Sequence, residues 1–476
     1  MQDLRPFARA IALVLPLFSV AAWGQQTDLG IQAQEDALRR IQEADERRSA
    51  EGRAARYQHI KGGPVSLAEV MRDPDNIELN YRYAQTQVAD GNLRNAGATL
   101  ERILLLNPSL HRIRLFYAFV LYRLDNLTEA RVELAKLDTA RLSPGDQAEA
   151  ARLSQRIENR TRPTVFTAHF GAGITYQTNA NFAPDGELAQ LLVPTPFGTV
   201  SALAPVEEED DIGYVGVAGI GFRHDIGRQD WRELFGSVNA VFNEQVSVDE
   251  TDYFSVRGNF GVMHRSALGD LRIQAIAGNF RLADDSFLKH IGADIDLERR
   301  YFGDTLETHL RHQTQYEDYD SAGGFTPERT GYRHEFEAGA RYRVAGNQLV
   351  GGSVQYTLKR ARQDWREYDE IGISGDHTWL AGRGIFVINT VSYAHRIYDA
   401  PNPRISTRRR HDNAFRYRFT VSSPLSNIFG RNLLSRAFYD MRLRGSIQYA
   451  DTSSNIINFD HNNVSAEVFL NKRFSF

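Results

Sequence analysis

The sequence changes its period after Arg162-Pro163, and from Thr164 onward apolar and polar residues alternate every second position. In the clearest segment, one face carries Tyr332, Phe336, Ala338, Ala340, Tyr342 and Val344, and the other carries Arg333, Glu335, Glu337, Arg341 and Arg343. A period of two predicts extended strands, because successive side chains of a strand point to opposite faces. A face this rich in charge is unsuited to the interior of a compact sandwich. It is typical of a strand between lipid and a water-filled lumen.

Fourteen such segments follow one another, and an even number is what a single-chain bacterial barrel requires. They begin near residues 164, 212, 231, 253, 271, 290, 305, 331, 348, 368, 384, 413, 436 and 464. Short turns alternate with longer connections, and the longest runs from about residue 179 to 211. The predicted fold is α plus membrane β, in which a helical domain precedes a 14-stranded antiparallel transmembrane β-barrel over residues 164–476.

The chain ends in an alternating segment whose outward positions include Phe474 and the terminal Phe476. A terminal aromatic residue on the last strand resembles the signal that the barrel-assembly machinery of the outer membrane recognises. We therefore predict that this machinery is a partner, and that Phe474 and Phe476 are the assembly signal.

The predicted lumen carries charges of both signs. Its residues are Asp294, Asp296, Glu298, Glu307, Arg333, Glu335, Glu337, Arg341, Arg343, Arg416, Arg418, Arg442 and Arg444. Two functional interpretations stay open for this set, namely a porin-like constriction or a mutually paired network that keeps the barrel shut at rest. For most of the individual residues the alternative is that a face in contact with water is simply polar.

The first 24 residues have the three parts of a secretory signal peptide. Arg5 and Arg9 supply the positive charge, an apolar stretch follows, and Ala22 and Gly24 place small residues before a cleavage site at Gln25. The chain contains no Cys, which excludes disulfide frameworks and zinc–thiolate sites. We predict export to the bacterial outer membrane, with the helical domain in the periplasm and lipid and lipopolysaccharide as partners of the barrel.

Residues 25–160 have the composition and spacing of helices. Residues 25–65 predict a charged helical arm or linker, and residues 66–160 predict a periplasmic helical domain with an internal repeat. At a lag of 34, Tyr83-Ala84 matches Tyr117-Ala118, and Asn92-Leu93 matches Asn126-Leu127. Small residues recur where helices must touch, and a turn recurs after the first helix, which is the tetratricopeptide pattern.

In this register seven side chains of the two first helices would line a groove that binds a client protein. They are Glu78, Tyr81, Gln85, Arg112, Leu115, Phe119 and Tyr122. The alternative is that Phe119 and Tyr122 pack against a neighbouring element.

The order of these parts resembles the Slam family, the surface lipoprotein assembly modulators of type XI secretion. The resemblance is carried by the repeat at Tyr83-Ala84, its partner segment at 114–118, the first strand at 171–181 and the terminal Phe476. It implies an outer-membrane translocon that moves surface lipoproteins, or soluble haem- and metal-acquisition proteins, to the cell surface or medium. It also implies that the helical domain engages the client and a periplasmic chaperone.

Two other functions stay open, a diffusion porin and an exopolysaccharide export pore. The formal charge of −4 excludes a protein built for non-specific nucleic-acid binding. The sequence contains no G-x-S-x-G, H-E-x-x-H or Walker motif, so we expect neither an enzyme nor a cofactor or metal site. Arg404 and Arg408–Arg410 fit either rim contacts with lipopolysaccharide phosphates or solvated loop charge.

Overall fold

The computed structural model describes residues 63–196, 198–226, 232–302, 305–320, 326–430, 434–435, 438 and 441–476. The predicted signal peptide and nearly all of the predicted arm lie outside these ranges. The described chain forms two compact units, helical and β-sheet, which are divided between Pro163 and Thr164.

The described residues of the helical unit form six α-helices. They are α1 (Leu67–Val70), α2 (Ile77–Ala89), α3 (Leu93–Leu106), α4 (His111–Arg123), α5 (Leu127–Ala135) and α6 (Pro144–Thr161). Ala84, Ala96, Ala118 and Ala130 are fully buried, because small side chains allow neighbouring helices to approach closely. Within the described residues, no helix combines the length and apolarity needed to cross a bilayer.

The two helix pairs α2–α3 and α4–α5 repeat with the same offset of 34 residues, as from Ile77 to His111. Their turns also match. Gly91 and Asp125 both have a positive φ, +77° and +64°, at equivalent positions. The next amide donates back into the first helix in each pair, from Asn92 to Gln87 at 2.8 Å and from Asn126 to Leu121 at 3.0 Å. The turns therefore share one backbone geometry, and a left-handed residue closes each of them.

A buried polar side chain recurs at the same place in each repeat. Asn80 donates from Nδ2 to the carbonyl of Pro74 at 2.8 Å. Arg114, 34 residues later, donates to the carbonyl of Pro108 at 2.7 Å. Each contact provides a hydrogen-bond donor for a backbone carbonyl that precedes the helix. The two helix pairs therefore share a hydrogen bond as well as the spacing of their apolar residues.

The β-sheet unit has sixteen strands. They are β1 (Thr164–Gln177), β2 (Leu188–Thr195), β3 (Gly198–Pro205), β4 (Asp211–Asp225), β5 (Arg232–Gln245), β6 (Tyr253–Ser266), β7 (Gly269–Leu282), β8 (Asp285–Tyr301), β9 (Leu306–Tyr319), β10 (Gly331–Ala345), β11 (Gln348–Ala361), β12 (Tyr368–Gly382), β13 (Ile385–Tyr398), β14 (His411–Pro424), β15 (Arg442–Ser454) and β16 (His461–Ser475). Strand β1 and strands β4 to β16 form one closed antiparallel barrel of fourteen strands. The predicted fold class is confirmed.

The structure departs from the predicted strands in two places. The connection predicted as a loop near residues 179–211 contains the antiparallel hairpin β2–β3, which lies outside the ring. The strand predicted to begin near residue 436 begins at Arg442, and a short helix, α7 (Leu425–Phe429), follows β14.

The two faces of the barrel differ in chemistry. Outward apolar side chains are strongly exposed on every part of the ring, and Ile220 and Ile291 reach 66% and 65%. Soluble proteins rarely expose apolar surface over such an area, whereas a lipid-facing belt does. The inward positions carry most of the charged side chains of the strands.

We name the two ends of the barrel after their connections. The turn end holds Thr164, the terminal Phe476 and the connections that follow even-numbered strands from β4 to β14. The loop end holds the long connection 178–210 and the connections that follow odd-numbered strands from β5 to β15.

The ring closes where β1 pairs with β16, from Thr167–Ser475 to Gln177–Ser465. On its outer face Phe166 stacks on Phe476 at 6.2 Å and Phe170 on Phe474 at 5.7 Å between ring centroids. The two residues predicted as an assembly signal therefore lie on the outward face of this closing seam.

Candidate functional site

The inward face of the barrel is the candidate site, and its most connected part lies along β9. Arg311 bonds Asp294 of β8 and donates to Gln313, with N–O distances of 2.6 and 2.7 Å. Gln313 donates to Gln315 at 3.0 Å, and Gln315 donates to Glu317 at 2.5 Å. We call this series, completed by Lys359 of β11, the β9 rail.

Lys359 closes the rail at its loop-end side. Its Nζ lies 2.6 Å from Glu317 Oε2 and both side chains are only 4% exposed. A buried charge is costly unless it is paired and hydrogen-bonded. Each member of the rail therefore needs its neighbours, and the rail forms a rigid polar strip on the inner wall.

The other acidic groups of this side also have basic partners. Glu298 pairs with Arg300 at 2.8 Å, Glu335 with Arg333 at 2.8 Å, and Glu337 contacts His309 at 3.2 Å. Glu307 lies 3.7 Å from Arg341. Most of the negative charge on β8 to β10 is thus compensated locally.

The opposite wall is basic. Arg416 and Arg418 lie on β14, and Arg442 and Arg444 lie on β15; we call these four residues the arginine track. Seven steps around the ring in either direction lead from β15 to β8, so β15 stands directly across the lumen from Asp294 and Asp296. The inner face therefore has locally paired charges on one wall and a row of arginines on the opposite wall.

The thirteen residues predicted for the lumen all occupy inward positions, since their neighbours in the alternation, such as Ile295, Phe336 and Phe419, are exposed on the outer face. Sequence reasoning missed the groups that connect them, which are Arg311, Gln313, Gln315, Glu317, Lys359, Glu370, Arg396 and Glu467. The same alternation could have found them, because each lies on the inward parity of its strand.

An apolar cluster also lies on the inward face, toward the loop end. It consists of Phe182, Val215, Val217, Val241, Tyr253, Phe280, Leu282, Phe287, Leu288 and Phe469. Phe182 comes from the connection 178–210 and has a positive φ of +51°. The first connection therefore turns its aromatic side chain inward, onto the wall of the barrel.

This connection is held in place by Asn179, which is 1% exposed. Its side chain accepts from the amide of Ala183 at 2.8 Å and donates to the carbonyls of Ala183 at 2.9 Å and Asn462 at 3.2 Å. Farther along, Gln190 and Asn458 exchange two hydrogen bonds of 3.0 and 2.9 Å. The hairpin β2–β3 is thus fastened to the connection between β15 and β16.

The rim arginines are only partly available for an external ligand. Arg410 is 9% exposed and bonds Asp412 at 2.6 Å, and Arg404 bonds Glu328 at 2.6 Å. Arg410 also lies over the ring of Phe459. The prediction that Arg410 is a lipopolysaccharide contact is therefore wrong, because this side chain is buried in the loop end.

The groove predicted in the helical unit needs a correction. Leu115 and Phe119 are 3% and 6% exposed and belong to the helical core, so neither can anchor a client on an open surface. Tyr81, Gln85 and Tyr122 are half-buried, and Tyr81 packs edge-on against the ring of Phe116. Glu78 and Arg112 are exposed. The alignment to the tetratricopeptide pattern assigned Leu115 and Phe119 of α4 to the groove, whereas both face the helical core.

His309 and His312 lie on opposite faces of β9. His309 points inward to Glu337, and His312 stacks outward on Phe336 with ring centroids 4.3 Å apart. Among the described residues, no group of three or more His, Asp or Glu side chains is placed to hold a metal ion.

A family model described as a protein of unknown function, DUF2860, matches residues 288–468, which is less than half of the chain. No curated protein matches the chain.

Several solved structures share the barrel. They include a loop-deleted OmpT, an outer membrane protein of Vibrio cholerae (12% identity, 66% of this chain and 100% of that chain, TM-score 0.35), OprB of Pseudomonas putida (9%, 67% and 96%, 0.36) and OccK3 of Pseudomonas aeruginosa (12%, 66% and 96%, 0.31). At these identities and TM-scores the likeness is one of barrel architecture alone.

Proposed function

We propose that this chain is a transport barrel of the bacterial outer membrane, and that its lumen passes small hydrophilic solutes. The observation that carries the proposal is the division of one closed ring of strands into an apolar outer face and an inner face with charges of both signs. An apolar outer belt suits lipid, and a charged inner face suits water and polar solutes.

The size of the ring favours small solutes over folded proteins. Fourteen strands, spaced about 4.8 Å apart and tilted by about 40°, give a backbone radius of roughly 14 Å. Inward side chains reduce this further, while even a 100-residue domain has a radius of gyration of about 13 Å. A folded client protein would therefore not fit within the lumen.

The test is solute flux through the purified full-length protein in liposomes. We expect swelling in small sugars and amino acids, and discrete conductance steps in planar bilayers. A heat-unfolded sample of the same protein serves as the control. A correctly inserted barrel, recognised by its altered migration when unheated, that gave neither swelling nor conductance would contradict the proposal.

A second candidate function is the export of a client protein, as the Slam resemblance implies. The observation in its favour is the helical unit with its two matched helix pairs, an arrangement that tetratricopeptide proteins use to bind peptides. In this function the helical unit lies in the periplasm and binds a surface lipoprotein or secreted protein with its chaperone. The client then passes beside the barrel or in an unfolded form.

The two functions are separated by proteomics of the shaved cell surface and culture medium, with and without the gene. Loss of one or two specific proteins from that fraction, with their accumulation in the periplasm, would support client export. The exposed pair Glu78→Ala and Arg112→Ala should then reduce display without lowering the amount of inserted barrel. An unchanged surface proteome would rule out client export.

A further inference from the structure

Within the part of the chain that the structure describes, Arg416 and Arg418 of the arginine track form no ion pair. The carboxylates whose charges act on them, Glu370 and Glu467, bond Arg396 and Arg444 instead. Among the described residues Arg416 makes neither a hydrogen bond nor an ion pair, and Arg418 donates to the amide oxygen of Gln448 at 2.9 Å. Both side chains are half-buried on the inward face of β14. Partly desolvated guanidinium groups without a counter-ion attract anions more strongly than fully hydrated ones do.

The rest of the track flanks these two residues toward the turn end. Arg444 bonds Glu467 at 2.6 Å, and Arg442 donates to Ser422 Oγ at 3.1 Å and to the carbonyl of Gly384 at 2.7 Å. Arg444 is opposite Ser422 in the sheet register, and Gln448 is opposite Arg418. The guanidinium groups thus follow one another along the wall rather than meeting at one level.

The acidic wall does not cancel this charge. Most of its carboxylates are bound to basic neighbours on their own side, as Asp294 is to Arg311 at 2.6 Å and Glu298 to Arg300 at 2.8 Å. Because a carboxylate that already holds a guanidinium contributes little net field, the charge left over at mid-strand is the positive charge of Arg416 and Arg418.

From this placement we infer that Arg416 and Arg418 form an oxyanion-binding site in the lumen, and that the preferred solutes carry carboxylate or phosphate groups. The planar, forked donors of arginine match both oxyanions. The inference rests on the proposed solute-transport function, whose substrate class it names.

The first test is ion selectivity, measured as the reversal potential of the full-length protein in a KCl gradient. We expect the wild-type barrel to prefer chloride. Replacing each arginine with glutamine, as Arg416→Gln with Arg418→Gln, should lower the anion-to-cation permeability ratio by about threefold or more, since a unit charge about 6 Å from an ion in water changes its local concentration about threefold.

A matched control removes the same charge from the outward face. Arg299 and Arg360 lie on outward positions of β8 and β11, where Arg299 covers the ring of Tyr301 and Arg360 pairs with Asp369. The double variant Arg299→Gln with Arg360→Gln should leave the reversal potential unchanged. An equal shift in both double variants, or none in either, would overturn the inference.

The second test is binding at equilibrium, which does not depend on conductance. Inorganic phosphate and acetate are titrated separately into the detergent-solubilised protein by calorimetry. Binding that is lost in Arg416→Gln with Arg418→Gln supports the site, and the two titrations show which oxyanion it prefers. If the wild-type protein binds the oxyanion and the variant does not, but correctly folded barrels do not conduct, only the transport function is refuted. If the barrels conduct but show neither oxyanion binding nor anion preference, only the site is refuted.

Discussion

Asp252 shows how burial changes the charge state of one side chain. It lies in the connection between β5 and β6 at the loop end, where burial, together with the nearby Asp249, Glu244 and Asp284, raises the pKa of its carboxyl group to about 6. A hydrogen bond of 2.6 Å from the amide of Gln245 acts in the opposite direction. The carboxyl group is therefore poised to titrate near neutral pH.

This pKa predicts a pH-dependent stability of the connection 246–252. Because the folded state binds the proton more tightly than the unfolded chain, the stabilisation from the protonated group is complete at acidic pH. It is lost as the pH rises toward and through about 6. After correction for intrinsic exchange, amides of this connection should be more protected from hydrogen exchange at pH 5 than at pH 7.5.

The variant Asp252→Asn provides the comparison, because it keeps the shape of the side chain and removes the titrating group. Its protection should be the same at both pH values. If the wild-type protein also showed equal protection at pH 5 and 7.5, the shift assigned to Asp252 would be incorrect.

At the scale of elements, the helix pair α4–α5 depends on one buried ion pair. Arg114 bonds Glu133 across the two helices, with side-chain exposures of 8% and 12%. Glu133 also contacts Lys136 at 2.7 Å, but this lysine is 52% exposed. One carboxylate thus makes a buried contact and a solvated one.

We expect Glu133→Ala to destabilise the helical unit by about 3 kcal/mol, because it leaves the buried guanidinium of Arg114 without its counter-ion. Lys136→Ala should cost less than about 1 kcal/mol, as exposed pairs do. Hydrogen exchange of α4 and α5 in the full-length protein measures both changes. Similar losses of protection in the two variants would show that Arg114 does not depend on Glu133.

The strands could be predicted from sequence because one face of each strand faces the outer surface, and that gives a strict period of two, as from Tyr332 to Val344. The hairpin β2–β3 could not be predicted in this way. Its two strands lie outside the ring and expose apolar side chains such as Val200 and Leu203, at 54% and 58%. The sequences of these two strands do not alternate consistently between apolar and polar residues, so the sequence predicts a loop there.

Helix faces were harder to assign than strand faces. Ala84 and Ala118 were correctly expected at helix contacts, since small residues there have a single explanation. Leu115 and Phe119 were expected at a groove and lie in the core, because a helix of α4's composition is apolar on more than one side. The alternation along each strand predicts which charged residues point inward. It does not predict their partners, such as Glu317 for Lys359, because these depend on the register between strands.

At the scale of the whole molecule, the connection 178–210 is the longest segment at the loop end of the barrel. Asn179 ties residues 178–210 to the first residues of β16, and it is the buried member of that contact. Asn179→Ala should cost about 2 kcal/mol through its lost hydrogen bonds, and should expose the connection to protease.

The control for this prediction is Ser201→Ala on the exposed part of β3. Limited proteolysis of the folded protein in detergent should cleave near residues 185–187 several times faster in Asn179→Ala than in Ser201→Ala. Equal cleavage rates would mean that Asn179 does not fasten the connection.

The β9 rail has a direction. Arg311, Gln313 and Gln315 all donate toward Glu317, so their amide dipoles are aligned head to tail and present their positive ends to that carboxylate. Reversing one amide would set oxygen against oxygen at one neighbour and hydrogen against hydrogen at the other. Reversing both would create the same mismatches at Arg311 and at Glu317, so these two charged ends fix the orientation of both amides. We therefore expect the inner wall at the β9 rail to be the rigid side of the lumen. Any change in the inner diameter is expected at the arginine track or at the first connection.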